Sequence, residues 1–356
     1  MPEAHGGNLE ATARRLGCDP AQLLDASASL APFPLPWAAR WALHRAPLHP
    51  YPDRGAAALR QRLAAVHAVD PAAVLPGNGA AELFTWAARD AAELGTSLLP
   101  QPGFADYQRA LRCWGGAIRT APLPLAWDQD FPQPLPPLGA APVLWLTNPH
   151  NPTGQLWSRA SLEPLLQRHR LVICDEAFLP LVPGGERQSL IPLVASHPNL
   201  VVIRSLTKLY GIAGLRLGYA IAQPQRLQRW AAWRDPWPVN AVAAAVAQAL
   251  LRSPQAHQRW CQSVQRWSAR EGAWLQAQLG RVDGITPLPS AANYLLLRAE
   301  RSLLPLREAL EQRHRILLRD CRSFEGLGEC WLRLGTQSRG RNRRIVAALR
   351  REWLSR

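Results

Sequence analysis

The chain holds 41 basic residues, and only one of them is a lysine, Lys208. Any covalent amine chemistry on a side chain therefore falls to that position. Lys208 lies in Ser205-Leu206-Thr207-Lys208-Leu209-Tyr210-Gly211, which runs on through Arg216 to Gly218 and directly follows the apolar run VVIRSL. Ligands in open α/β sheets bind beyond the C-terminal ends of the strands. A lysine there can form a Schiff base with an aldehyde. The hydroxyls of Ser205 and Thr207 can donate to a phosphate, and Arg216 adds a fixed positive charge. The competing reading is an ordinary exposed lysine, and the Ser, Thr, Gly and Arg around it weigh against that.

Four more pieces could take part. Asp175 closes the run LVICD; a carboxylate there can hold a pyridinium nitrogen, a metal or a ribose hydroxyl, or simply cap a helix. Asn148-Pro149-His150-Asn151-Pro152-Thr153-Gly154 follows VLWLT and reads first as a turn. Asn151 precedes a proline and is biased out of the helical region, which can aim its amide into a cleft. Gly77-Asn78-Gly79-Ala80-Ala81-Glu82 opens a helix whose first-turn amides form an anion site, although glycine-rich helix starts are common. Phe104 is a core aromatic by default, and a stacking surface if a planar ring lies beside it.

These pieces need elements to position them. At 356 residues the chain is long enough for two domains or one large one. A hydrophobic fraction of 47% against 19% charged residues excludes global disorder. No run of about 18 apolar residues marks a membrane span, and the N-terminus lacks the layout of a signal peptide. The expectation is a cytoplasmic protein with no membrane partner. Six scattered cysteines without a C-x-x-C pair read as free thiols, with no metal site. A net charge of +15 invites nucleic acid. The arginines are spread along the whole chain, however, with one short cluster at 339–344, so the charge reads as compositional bias and no nucleic-acid partner is expected.

Short apolar runs at 96–100, 142–149, 171–178 and 199–206 predict strands. They alternate with helical stretches at 55–68, 103–114, 158–169 and 186–196, and with a helix opening near Gly79. That pattern predicts an α/β fold with a mostly parallel sheet covered on both faces. After about 235 come helices at 238–252 and 255–280, strands at 294–298 and 331–335, and helices at 302–314 and 339–353, which predict a smaller α/β domain. The division expected is an irregular N-terminal arm (1–36), a large domain (37–235) and a small domain (236–356). The Pro-rich segment 122–142 reads as a surface connection.

Taken in order, with the single lysine in the right place, these motifs resemble the fold-type I pyridoxal-phosphate (PLP) enzymes of the class I/II aminotransferase superfamily, across essentially the whole chain. The resemblance implies PLP as cofactor and Lys208 as its Schiff-base lysine, with Asp175 holding the pyridine nitrogen protonated. It implies Asn151 on the ring oxygen and Phe104 stacked on the ring. Asn78, Gly79, Ala80, Ser205, Thr207 and Arg216 would hold the cofactor phosphate. Tyr51, in Tyr51-Pro52-Asp53, resembles the tyrosine that reaches the cofactor phosphate of a partner subunit, which implies a two-fold dimer with shared sites. Its plain reading is a turn aromatic. Aminotransferases of this group usually carry Tyr after Asp-Glu-Ala; here it is Phe178, so that hydrogen bond is missing or comes from elsewhere, such as Tyr210.

Within the superfamily the chain is similar to two families acting on phosphorylated amino compounds, the histidinol-phosphate aminotransferases and the threonine-phosphate decarboxylases of cobalamin biosynthesis. The arm His5-Gly6-Gly7-Asn8, the strand Arg319-Asp320-Cys321 with Phe324 beyond it, and Phe178 resemble the decarboxylases. That resemblance implies O-phospho-L-threonine as a small phosphorylated substrate, held by His5, Gly6, Asn151, Arg319 and Arg333, and (R)-1-amino-2-propanol O-2-phosphate as product. The family usually has Asn where this chain has Ser29 and Ala31. Ser29 keeps a donor with shorter reach, so a serine phosphate substrate stays open. The alternatives are transamination of histidinol phosphate and, more distantly, a non-catalytic PLP-binding protein.

Overall fold

The computed structural model describes residues 6–354. Its strands, in chain order, are β1 (Leu24–Asp25), β2 (Val74–Asn78), β3 (Ser97–Gln101), β4 (Ile118–Pro122), β5 (Val143–Thr147), β6 (Leu171–Asp175), β7 (Leu200–Ser205), β8 (Leu217–Ala222), β9 (Ile285–Pro287), β10 (Tyr294–Ala299), β11 (Ile316–Leu317), β12 (Arg319–Asp320) and β13 (Trp331–Gly335).

Seven of them form one sheet in the order β2-β8-β7-β6-β5-β3-β4. β7, β6, β5, β3 and β4 pair in parallel, and β8 runs antiparallel to both its neighbours. Every residue of β5, β6 and β7 is buried. That is the signature of central parallel strands with helices on both faces, and it explains why these strands read as continuous apolar runs. A second, antiparallel sheet has the order β12-β13-β10-β9. The α/β class with a mostly parallel large sheet and a smaller unit therefore matches the expectation.

Three details depart from it. First, the arm is not irregular: Leu9–Leu16 is helical, and β1 pairs in parallel with β11. Leu24 and Ala26 join the apolar cluster of the small sheet. Second, residues beyond 235 do not all leave the large unit. Val239, Ala243, Val246, Cys261, Val264 and Trp267 pack in its core, while Leu275 and Leu279 pack in the small one. The 26-residue helix Pro254–Leu279 thus carries the chain from one core to the other, and the boundary expected at 235 has no counterpart in the packing. Third, the stretch expected to be helical at 186–196 forms only short 3-10 turns, at Gly185–Gln188 and Ile191–Leu193, the second with Pro192 at its start.

The sequence pattern does not predict β2, β4 or β8 of the large sheet. β2 is the sequence VLPGN, whose Pro76 and Gly77 look like a turn. It lies at the sheet edge, where a proline is tolerated because one side needs no ladder donor.

Candidate active site

The C-terminal ends of β5, β6 and β7 and the start of the helix Gly79–Leu94 converge on a cavity of about 360 Å³. Lys208, Asp175, Asn151, Phe104, Ala80, Ser205, Thr207, Arg216, Arg319, Arg333 and Gly6 all line it. Residues scattered over three hundred positions of sequence are thus brought to one place.

Lys208 sits mid-way along the short helix Leu206–Tyr210, which Ser205 caps by accepting from the Thr207 amide at 3.2 Å. Gly211 ends that helix in a left-handed conformation at φ 64°, where a Cβ would come within 2.9 Å of the Ala31 carbonyl. The Lys208 Nζ donates to the Ala28 carbonyl at 3.2 Å. Burial and the guanidiniums of Arg333 and Arg216 lower its pKa from 10.5 to about 8, although Asp175 and Asp25 pull the other way. A fraction of the amine is therefore neutral and nucleophilic near pH 7.

Asp175 is the last residue of β6, on the cavity wall. Burial raises its pKa to about 6, while a hydrogen bond from the Tyr107 hydroxyl at 2.6 Å and one from the Ala177 amide at 2.9 Å hold it down. The Tyr107 hydroxyl also lies 2.8 Å from Thr147 Oγ1. Desolvation penalises this carboxylate, so a cationic ring nitrogen beside it would be a favourable partner. Tyr107 was missed from sequence because its hydroxyl acts on a residue 68 positions away, with no local motif.

The anion cradle is built by close approach. Gly79 has φ 74°, and a Cβ on it would sit 2.6 Å from an Arg216 terminal nitrogen. A Cβ on Gly218 would lie 2.6 Å from the Ala80 nitrogen. Glu82 accepts the Asn78 amide at 2.6 Å, and the amides of the first turn that follows have no intrahelical acceptor because no turn precedes them. With Ser205, Thr207 and Arg216 alongside, the donor set fits a dianionic phosphate. The cradle, the buried Lys208 and the desolvated Asp175 together fit PLP.

Among the described residues, the remaining expected ones lie off this chain's own cavity wall. Asn78 and Gly79 precede the cavity wall and do not line it. Tyr51 is 77% exposed and stacks on Trp237 at 4.4 Å, outside the cavity. Ser29 does not line the cavity either: it is fully buried, at φ 52°, with its Oγ packed toward Gly335. The left-handed backbone turns its side chain into the seam with β13, and Ser27 takes the position on the wall. Tyr210 cannot replace the missing tyrosine hydroxyl, because its own hydroxyl is 2.9 Å from His257 Nδ1 and its ring stacks on Trp260. His5 lies outside the described residues.

At the other end of the cavity, Arg319 on β12 and Arg333 on β13 are direct register partners. Both are buried and both line the wall. Arg333 donates to Asn151 Oδ1 and, at 3.0 Å, to the Ser27 carbonyl. Arg319 donates to Ser323 Oγ at 2.6 Å and lies over the Phe324 ring. Among the described residues no helix is long and apolar enough to cross a membrane.

The family model for class I and II aminotransferases matches residues 29–349. The chain is 36% identical to the threonine-phosphate decarboxylase of Salmonella typhimurium over 98% of its own length and 96% of that protein's. It is 35% identical to a histidinol-phosphate aminotransferase of Symbiobacterium thermophilum, over 98% and 95% respectively. Among solved structures it resembles the L-threonine-O-3-phosphate decarboxylase of Porphyromonas gingivalis, with a TM-score of 0.76 and 28% identity over 89% of this chain and 95% of that one. A fold with Asp175 at the end of β6, Lys208 just beyond β7, an anion cradle at a helix start and matches of this extent lead to one conclusion: the chain belongs to the class I and II aminotransferase family and is a PLP-dependent enzyme.

Proposed function

We propose that the protein decarboxylates O-phospho-L-threonine to (R)-1-amino-2-propanol O-2-phosphate, in the cytoplasm and in the service of cobalamin biosynthesis. The observation that carries this reading is the registered pair Arg319 and Arg333, which faces the same cavity as Lys208 and stands apart from the cofactor-phosphate cradle. Such a pair suits a substrate bearing two anionic groups, a carboxylate and a phosphate monoester, because guanidinium binds either group through two parallel hydrogen bonds.

When bound, the protonated pyridine ring of PLP supplies an electron sink for the pair left on the substrate α-carbon. Lys208 would hold the cofactor aldehyde, Asp175 would keep the ring nitrogen protonated, and Phe104 would pack on the ring. Asn151 would reach the ring oxygen while accepting from Arg333. Ser205, Thr207, Arg216 and the Ala80 amide would hold the cofactor phosphate, with Gly79 giving Arg216 room to approach. Arg333, Arg319, Gly6 and His5 would orient the substrate so that its carboxylate stands across the ring plane. Loss of the carboxylate as carbon dioxide would leave its bonding pair with the α-carbon, and Lys208, released from the aldehyde once the substrate amine has taken its place, would donate the proton that the α-carbon gains. The active unit is a homodimer in which Tyr51 reaches the partner's cofactor phosphate.

Product analysis tests this. Incubation with PLP and O-phospho-L-threonine should release carbon dioxide and the amino alcohol phosphate, with no dependence on 2-oxoglutarate. Glutamate formed from histidinol phosphate and requiring 2-oxoglutarate, with no carbon dioxide released, would instead make the protein an aminotransferase. The identity to the Symbiobacterium protein makes that arm worth running.

A further inference from the structure

The segment Asp25–Ala31 touches the arm, Lys208 and Arg333, although only Ser29 and Ala31 in it stand out in the sequence. Ser27 is its node. The Ser27 amide and hydroxyl both donate to Asp25 Oδ1, at 2.7 and 2.6 Å. With its proton committed to Asp25, the Ser27 Oγ accepts from the Gly7 amide at 2.8 Å. The Ser27 carbonyl accepts from Arg333 at 3.0 Å. One residue further on, the Ala28 carbonyl receives the Lys208 ammonium, and the Ala31 amide donates to the Lys208 carbonyl at 3.0 Å. Gly6 packs so closely here that a Cβ would lie 2.6 Å from the Ser27 carbonyl oxygen. Asp25 is itself anchored to the small unit: its carbonyl accepts from Gln337 Nε2 at 3.2 Å, and the neighbouring Ala26 amide and carbonyl pair with Leu317 and Gly335.

We propose that Asp25 and Ser27 are positioning residues that latch the Gly6-Gly7 arm against the cavity and hold Arg333 in the orientation that receives an anionic substrate. The chain of bonds has a direction. Asp25 fixes the Ser27 hydroxyl as an acceptor toward Gly7. The Ser27 carbonyl holds one terminal nitrogen of Arg333 while Asn151 accepts from the other, which sets the guanidinium's orientation at the cavity wall. A hydroxyl whose proton is taken by a carboxylate is a stronger acceptor than a free one. Removing the hydroxyl at 27 frees the arm and leaves the carbonyl contact to Arg333 in place. Removing the carboxylate at 25 loosens both. The substrate half of this inference rests on the reading of the cavity as a site for a phosphorylated amino acid; the latch itself does not.

The test uses the PLP-loaded enzyme and variants S27A, D25A and D25N. Hydrogen–deuterium exchange of the peptide holding Gly7 reads the latch without any turnover. S27A and D25A should speed that exchange while leaving the central strands β5–β7 as protected as before. D25N keeps an acceptor oxygen and should restore slow exchange. With O-phospho-L-threonine, S27A should raise KM about threefold to tenfold, the worth of one hydrogen bond, and by more than it lowers kcat. D25A should raise KM further, and D25N should stay near the parent. Unchanged exchange and unchanged KM in S27A would overturn the latch. Faster exchange in a protein whose parent form does not turn over O-phospho-L-threonine would keep the latch and sink the substrate reading. Exchange that quickens across β5–β7 as well would mean that residues 25–27 hold up the fold and not the arm, and would also overturn it.

Discussion

At the scale of single residues, the amine of Lys208 has its chemistry set by what surrounds it. Burial, Arg333 and Arg216 together bring it down to about 8. The neutral form attacks an aldehyde, so uptake of PLP by the cofactor-free protein should quicken as pH rises and level off above about 8. Stopped-flow absorbance checks this, and a midpoint near 10 would show the amine behaving as an ordinary exposed lysine. K208A should leave a protein that binds PLP without the Schiff-base absorbance band and has no activity. Gly79 is the second such residue. Its φ of 74° disfavours any side chain, and a Cβ would collide with Arg216. G79A should therefore displace that guanidinium and weaken PLP retention by about tenfold or more, the worth of a charge-assisted hydrogen bond or two. Equilibrium dialysis of PLP against parent and variant measures it.

At the scale of elements, the strand ends that carry Asp175 and Ser205 are tied together from behind. Arg204, the next-to-last residue of β7, is 1% exposed and pairs with the fully buried Glu176 at 2.7 Å. It also donates to Ser189 at 2.9 Å and to the half-exposed Glu186 at 2.7 Å. Glu176 follows Asp175 directly, and Arg204 precedes Ser205. The ion pair thus spans β6 and β7 just where the sheet delivers its two working ends. Burial raises the Glu176 pKa, and Arg204 opposes that shift. Removing one partner strands the other charge in the interior. R204M should cost about 3–5 kcal/mol, seen as a lower urea midpoint at unchanged slope. A loss below about 1 kcal/mol would mean the pair is replaced by water. The identity of each strand was visible in sequence as a buried apolar run. This cross-link was not, because its partners lie 28 positions apart and each looks like an ordinary charged residue.

At the scale of the whole molecule, the exposed aromatics are the open feature. Tyr51 and Trp37 are largely exposed, and Trp37 stacks on Trp41 at 6.0 Å while Arg54 lies over Trp237. Large apolar side chains left in solvent mark interaction surfaces when they gather, and the proposed homodimer would cover them. Mixing subunits tests the sharing of sites. K208A and Y51A homodimers should each be impaired. A reassembled mixture should regain activity, since a hybrid dimer has one site with both parent residues. No recovery in hybrids proven to form would show that Tyr51 serves its own subunit or none.

The sequence by itself determined the family and carries the pieces that its site needs: one lysine after an apolar run, a carboxylate closing the preceding one, an Asn-Pro turn and a glycine-rich helix start. Those features are legible because each is local. Strand and helix periodicity is written in consecutive side chains, and a Gly or Pro acts on its own backbone. Tertiary structure alone decided the rest. It made VLPGN an edge strand, sent Ser29 into a seam, and turned Tyr210 away toward His257. It brought Tyr107 onto Asp175 and made Ser27 the joint between the arm and Arg333. Each of those outcomes depends on which distant group a hydrogen bond or a close packing contact finds. That partner is chosen only when the two sheets and the arm come together, which no spacing along the chain encodes.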